Sequence, residues 1–261
     1  MIEHILDEYA QANALRDFDT RFKLLLGAGA ILICVFSENP FAPLFIAFSM
    51  VLITVGIARI PVRIYLLTLI GPLTFAILSA FVILLITGGV YTAFWISLGG
   101  YNFSVTTEAL HLASLVLART LGGMCGLFFI AFSTPVVELF SVMRSLHLPR
   151  EFIDLSMLIY RFIFILLGEA IAIRNAQLMR HGYSGFRNSL RSFSLLSSML
   201  FIRAWDRGDG LLTAMDSRCY DGKFELPKKE DRNPTVGALL IAGYLAIGVS
   251  ILLMMGQRGF I

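Results

Sequence analysis

Ile64-Tyr65-Leu66-Leu67-Thr68-Leu69-Ile70-Gly71-Pro72-Leu73-Thr74-Phe75-Ala76-Ile77-Leu78-Ser79-Ala80-Phe81-Val82-Ile83-Leu84-Leu85-Ile86-Thr87 carries no charge from end to end. About 20 apolar residues cross the roughly 30 Å hydrocarbon core of a bilayer as a helix. Lipid offers the backbone no hydrogen-bond partners, so only helices or a closed barrel can cross it. Barrel strands alternate polar and apolar residues, whereas Ile83-Leu84-Leu85-Ile86 and Leu24-Leu25-Leu26 are solidly apolar. The reading is an all-α integral membrane protein. Composition agrees: 57% apolar and 15% charged residues, with a mean hydropathy of +0.78, lie outside the soluble globular range.

Working outward, about five spans are expected: Leu24–Phe36, Phe41–Ala58, Ile64–Thr87, Glu108–Ser133 and Val236–Met255. The Ser37-Glu38-Asn39-Pro40 turn separates the first two, and Gly71-Pro72 is a candidate kink in the third. The first span is short and needs its ends extended, which Arg21 and Lys23 can do by snorkelling to the headgroups. With Arg59 and Arg63 they form the membrane-anchoring set and mark the cytoplasmic side. Gly88–Thr107, with Tyr91, Trp95 and Tyr101 but no Lys or Arg, reads as an outside loop.

Net charge is only +3, but most of the 21 Lys and Arg fall in the central and C-terminal parts of the chain. In a membrane protein this marks a cytoplasmic side rather than a nucleic-acid surface. Cys34, Cys125 and Cys219 are odd in number and far apart, so no disulfide framework is expected. An acidic lead ahead of the first apolar run argues against a cleaved signal peptide. Arg119 stands within the fourth span, where the alternatives are helix-to-helix pairing and a transport role. Glu108 and His111 sit at its outer end, and Gly122, Gly123 and Gly126 suit close helix packing.

The domain organisation follows: residues 1–23 as a cytoplasmic lead, 24–133 as the first four spans, 134–224 as a cytoplasmic-side helical module, and 225–261 as a linker with the last span. The module starts at Ser133-Thr134-Pro135, a helix-start signal with Glu138 in the first turn. One short amphipathic helix should run to about His147, followed by two long ones. In the first, Glu151, Asp154, Arg161, Glu169 and Arg180 share one stripe, and the rest is largely Phe, Ile, Leu and Met. Gly182-Tyr183-Ser184-Gly185 breaks the chain. The second long helix places Arg203, Arg207 and Arg218 on one face, with Gly208 and Gly210 as candidate bends.

Each long helix ends in the same way, at Ala176-Gln177-Leu178-Met179-Arg180-His181-Gly182-Tyr183 and at Ala214-Met215-Asp216-Ser217-Arg218-Cys219-Tyr220. A basic residue at a helix C-terminus complements the macrodipole. The repetition also suits docking, because guanidinium stays charged and binds carboxylate bidentately. If the helices form a hairpin or crossed pair, the arginines are tens of ångströms apart. Two sites on a large partner, or one site on each of two similar partners, could then engage them.

At these residues the chain resembles the transmembrane T component of energy-coupling factor transporters, most closely the CbiQ type of cobalt and nickel uptake systems. The resemblance covers nearly the whole chain. It includes Asp19-x-Arg21-x-Lys23-Leu24, Pro135-Val136-Val137-Glu138-Leu139-Phe140, Leu148-Pro149, Tyr160-Arg161-Phe162, Arg203-Ala204-x-Asp206-Arg207 and Ala214-Met215-x-x-Arg218-x-Tyr220. It implies that the two long helices are coupling helices, and that Arg180 and Arg218 dock into a pair of ABC-type ATPases. The family motif is Ala-Arg-Gly, whereas this chain has Met179-Arg180-His181 and Ser217-Arg218-Cys219.

The sequence has no Gly-x-x-x-x-Gly-Lys-Ser/Thr phosphate loop, so ATP hydrolysis is expected in partner subunits and the chain is not expected to be an enzyme. His4, His111, His147 and His181 lack metal-ligand spacing. No metal site and no cofactor are expected, and a separate substrate-binding membrane subunit would hold a transported metal. The implied role is a coupling scaffold in the cell membrane, with its N-terminus and coupling helices cytoplasmic. Alternatives are a T component for a vitamin importer, a permease that forms the pathway itself, and a membrane enzyme, for which Glu108 with His111 is the only compact pair.

Overall fold

A computed structural model describes residues 13, 15, 18–87, 92–98, 101–146, 148–221, 242–244 and 246–250. In chain order these form α1 (Thr20–Phe36), α2 (Phe41–Leu52) continuing into a π-helical turn (Ile53–Ile57), α3 (Val62–Ile86), β1 (Thr92–Leu98), β2 (Tyr101–Thr106), α4 (Thr107–Ser133), α5 (Val136–Ser145), α6 (Arg150–Met179) and α7 (Phe186–Ser217). Residues 242–244 and 246–250 are also helical. The expected acidic lead, the 225–233 linker and most of the last span lie outside the described residues.

Helix boundaries follow local chemistry. α1 begins four residues before the expected span because the Asp19 carboxylate accepts from the Arg21 backbone N–H at 3.0 Å, capping the helix. α2 widens into a π turn, closed by the Ala58 N–H bonding the Ile53 carbonyl at 3.1 Å, and Arg59 then turns left-handed at φ 55°. α3 runs through Pro72 unbroken, and the nearby Thr74 hydroxyl donates to the Gly71 carbonyl at 2.6 Å. α7 likewise passes Gly208 and Gly210 without interruption.

The stretch read as an outside loop contains an antiparallel hairpin instead. In its register Trp95 pairs with Ser104 and Leu98 with Tyr101, with an irregularity between Thr92 and Phe94. Its β-branched and aromatic residues explain the pairing; the layers of the fold remain helical.

The chain divides into two compact units at Leu139/Phe140, inside α5. In the first, α4 is central and packs against α1, α2 and α3. Ala30, Cys34, Ile46, Met50, Cys125 and Phe129 form one core; Ala58, Ile60, Tyr65, Phe128 and Phe132 form a second. Tyr244 of the C-terminal helical segment joins the first core and shares a 2.5 Å hydrogen bond with Ser49. Outward-facing side chains such as Leu25, Phe48, Phe75 and Leu78 stay exposed, as a lipid-facing surface requires.

Close helix approach depends on two of the three expected glycines. A Cβ on Gly122 would lie 2.5 Å from Cys34 Sγ and 2.9 Å from the Pro43 carbonyl, and one on Gly126 would lie 3.0 Å from Ile31 Cγ1. Gly123 faces open space. Arg119 serves helix-to-helix pairing: its Nε and Nη2 donate to the Ser37 carbonyl at the end of α1, at 2.8 and 2.6 Å.

α3, α4 and α6 are long and apolar enough to cross a membrane, and Phe41–Ile57 is a shorter apolar helix. α6 therefore meets by length and composition a criterion that the sequence reading reserved for the spans.

Gly122→Leu should lower stability by about 1–3 kcal/mol through overpacking against α1 and α2. Gly123→Leu should be neutral or stabilising by up to about 1 kcal/mol through helix propensity. Thermal unfolding of both variants in detergent checks the contrast.

Candidate functional site

The second unit is built on an antiparallel hairpin of α6 and α7. Three contacts mark its length. Near the turn, Gln177 Nε2 donates to the Ser192 carbonyl at 2.9 Å. Midway, Arg207 Nε donates to Glu169 Oε1 at 2.9 Å, and Arg203 lies 3.5 Å from Glu169 Oε2. At the far end the charges of Asp154 and Asp221 act on Tyr220. Desolvation first, and then those two carboxylates, push the Tyr220 phenol above its ordinary value. The Glu169 pairs are about half exposed on the arginine side, so water screens them and they add little to stability. They set the register of the hairpin more than they hold it together.

Arg180 therefore sits at the turn and Arg218 at the opposite end, beside the start of α6. At 1.5 Å per residue, α6 separates them by roughly 40 Å.

The two ends are built alike. Arg180 terminates α6 at φ −96° and ψ 15°; Arg218 terminates α7 at φ −98° and ψ 14°. The next residue is left-handed in each case, His181 at φ 55° and Cys219 at φ 54°. The backbone then closes the helix with the same pair of bonds. Gly182 N–H reaches the Gln177 carbonyl at 2.8 Å and His181 N–H the Leu178 carbonyl at 3.0 Å; Tyr220 N–H reaches Met215 and Cys219 N–H reaches Asp216, both at 3.1 Å. This is the Schellman motif, twice.

The consequence is chemical. Since backbone donors already satisfy the last carbonyls, the guanidinium groups are not needed as caps. Both arginines are exposed, and neither has an ion-pair partner among the described residues. Each is an exposed cation carried on a defined backbone turn at the tip of a helix.

The flanking residues differ. Met179 is 84% exposed, a large apolar group beside Arg180, while Ser217 folds its hydroxyl back onto the Ala214 carbonyl at 2.9 Å. Tyr183 locks the first turn through its hydroxyl, which donates to Gln177 Oε1 at 2.8 Å. Gly182 is required by close approach, since a Cβ there would lie 2.7 Å from Ser192 Oγ.

Both helices keep apolar faces uncovered. Phe152, Leu155, Ile159, Ile163 and Ile171 line one side of α6, and Phe186, Leu190, Phe193, Phe201 and Trp205 line α7. Such faces suit a membrane surface or a partner helix.

Of the other singled-out residues, Arg21, Arg59 and Arg63 are exposed. Lys23 is not: it is 3% exposed, and its Nζ donates to the Ser133 carbonyl at 3.2 Å. Glu108 and His111 are exposed, and no group of three or more His, Cys, Asp or Glu able to hold a metal occurs among the described residues. Sequence reasoning missed the buried role of Lys23 and the left-handed residues. A usable signal for the latter was the family glycine that His181 and Cys219 replace.

His181→Gly and Cys219→Gly should each stabilise the hairpin by about 1 kcal/mol, by relieving a left-handed backbone. Gly182→Ala should destabilise it. Chemical unfolding of the three variants checks both signs.

Comparison with known proteins agrees with the residue-level resemblance. The profile of the family described as CbiQ, cobalt transport protein, matches residues 11–229. A putative fused cobalt transport protein CbiMQ of Methanocorpusculum labreanum is 49% identical over 94% of this chain, which spans 41% of that relative's length. An uncharacterised protein of Methanocaldococcus jannaschii is 36% identical over 97% of this chain and 93% of its own. At greater distance, the energy-coupling factor transporter transmembrane protein EcfT of Ruminiclostridium cellulolyticum is 26% identical over 96% of both chains. On this match across most of its length, the chain belongs to the CbiQ family of cobalt transport proteins.

Proposed function

We propose that the chain is the transmembrane coupling subunit of an energy-coupling factor importer, linking ATP hydrolysis by two partner ATPases to a separate substrate-binding membrane subunit for cobalt. The observation that carries this is the pair of matching arginine turns, at φ −96° and −98°, on one hairpin about 40 Å apart. Equal geometry at two distant points fits two equivalent receptor sites, as a pair of similar ATPases would offer. Guanidinium binds carboxylate bidentately, so an acidic groove on each ATPase is the complementary surface.

The rest of the chain takes matching roles. The first unit supplies the anchor, and the apolar faces of α6 and α7 bear on the substrate subunit, so that tilting of the hairpin moves that subunit. The fused relative, whose name joins two parts and of which this chain matches 41%, supports function beside a second component. Cobalt is taken from the family description and the relatives' names. ATP hydrolysis belongs to the partners, and the hairpin faces the cytoplasm with the N-terminus.

Co-purification with co-expressed ATPase subunits tests the docking. Wild type should retain them, and Arg180→Glu with Arg218→Glu should lose them while staying in the membrane. Equal retention would reduce the arginines to helix ends.

The native cysteines test the orientation. Cys219 is exposed whereas Cys34 and Cys125 are buried. A membrane-impermeant maleimide should label the protein in inverted vesicles and leave it unlabelled in intact cells. Bound ATPases should protect the site.

A further inference from the structure

α4 passes into α5 through Ser133-Thr134-Pro135, within the first unit, and this joint is built from buried polar groups. Asn13, 7% exposed, donates from Nδ2 to the Phe132 carbonyl at 3.0 Å and the Ser133 carbonyl at 3.1 Å. Lys23, 3% exposed, adds its ammonium to the Ser133 carbonyl at 3.2 Å. Thr20, 5% exposed, donates its hydroxyl to Glu138 Oε2 in the first turn of α5 at 2.5 Å. Ser133 and Thr134 are buried beside them, their hydroxyls 3.4 Å apart.

A buried ammonium is costly unless it is held by acceptors. Here it sits at the carbonyl end of α4, where the macrodipole favours a cation. Two ties result from one segment. Lys23 and Asn13 fix the end of α4, and Thr20, three residues before Lys23, fixes the start of α5. The Ser133–Pro135 joint is thus bound on both sides to residues at and just before the N-terminal end of α1.

We propose that Asn13, Thr20 and Lys23 form a positioning clasp that stiffens the joint between α4 and α5, so that movement of the arginine-tipped hairpin reaches the membrane helices instead of being dissipated at the Ser133–Pro135 turn. The proposal rests on the coupling role given above and assigns its transmission point. The clasp residues are positioning residues that act through α4 and α5.

The test uses the full complex with its ATPases and substrate-binding subunit in proteoliposomes, with radiolabelled cobalt ion as the probe. ATPase retention, ATP hydrolysis and cobalt taken up per ATP hydrolysed are measured for wild type, Lys23→Met, Lys23→Arg and Thr20→Val. Retention and hydrolysis should be preserved in all four. Uptake per ATP should fall at least about fivefold in Lys23→Met and in Thr20→Val, the lower end of ordinary coupling free energies, and Lys23→Arg should restore much of it. A merely structural role would lower the amount of complex and leave its stoichiometry unchanged. Unchanged uptake per ATP in assembled Thr20→Val complexes overturns the clasp, even where Lys23→Met fails to fold. Failure of the wild type to retain the ATPases overturns the coupling reading itself, and the clasp with it.

Discussion

A helix ends with carbonyl groups that have no partner in the helix, and a protein rich in apolar surface has little water to give them. How each end is satisfied organises this chain. The end of α1 receives the Arg119 guanidinium at the Ser37 carbonyl, and the end of α4 receives Lys23 and Asn13. In both places the basic group is consumed by the fold. At α6 and α7 the backbone closes on itself through the left-handed His181 and Cys219, and the arginine is left over. The same residue type thus has opposite meanings at different helix ends: a cation bonded to a carbonyl is architecture, while one released from that duty is available to a partner.

The left-handed residues sharpen this distinction. A left-handed backbone at a residue with a Cβ costs about 1 kcal/mol or more. Two such residues follow the two arginines at nearly equal angles, so the turn is held by its surroundings rather than by the preference of His or Cys. Strain of this kind concentrates where geometry serves an activity. The small differences around it, a bulky Met179 on one side and a folded-back Ser217 on the other, give two similar tips unequal collars.

Much of the architecture was legible in the sequence, because lipid enforces simple rules. The uncharged run from Ile64 to Thr87 became α3 within two residues at its start and one at its end. Both long helices of the module were placed close to their true ends by Leu148-Pro149, by the Gly182–Gly185 break and by the arginines. Legibility failed where a residue's role depends on distant partners. Lys23 looked like a snorkelling anchor because its neighbours in sequence are apolar, whereas its acceptor lies 110 residues away. The hairpin of β1 and β2 was hidden by its glycines, although its β-branched and aromatic residues carried the signal. The α6 sequence is ambiguous by composition, since a helix can be apolar enough to cross a membrane and still carry a charged stripe that meets α7 through Glu169.

The hairpin also behaves as a ruler. With α6 of 30 residues and α7 of 32, the spacing between the two arginine tips is fixed by helix rise alone. Each inserted residue would lengthen one arm by about 1.5 Å and rotate its tip by about 100°. A single insertion would therefore turn an arginine tip to a new direction as well as displace it. Only length changes in whole turns matched on both arms keep the two tips in the same relation, so their spacing and their facing are both written into the helix lengths.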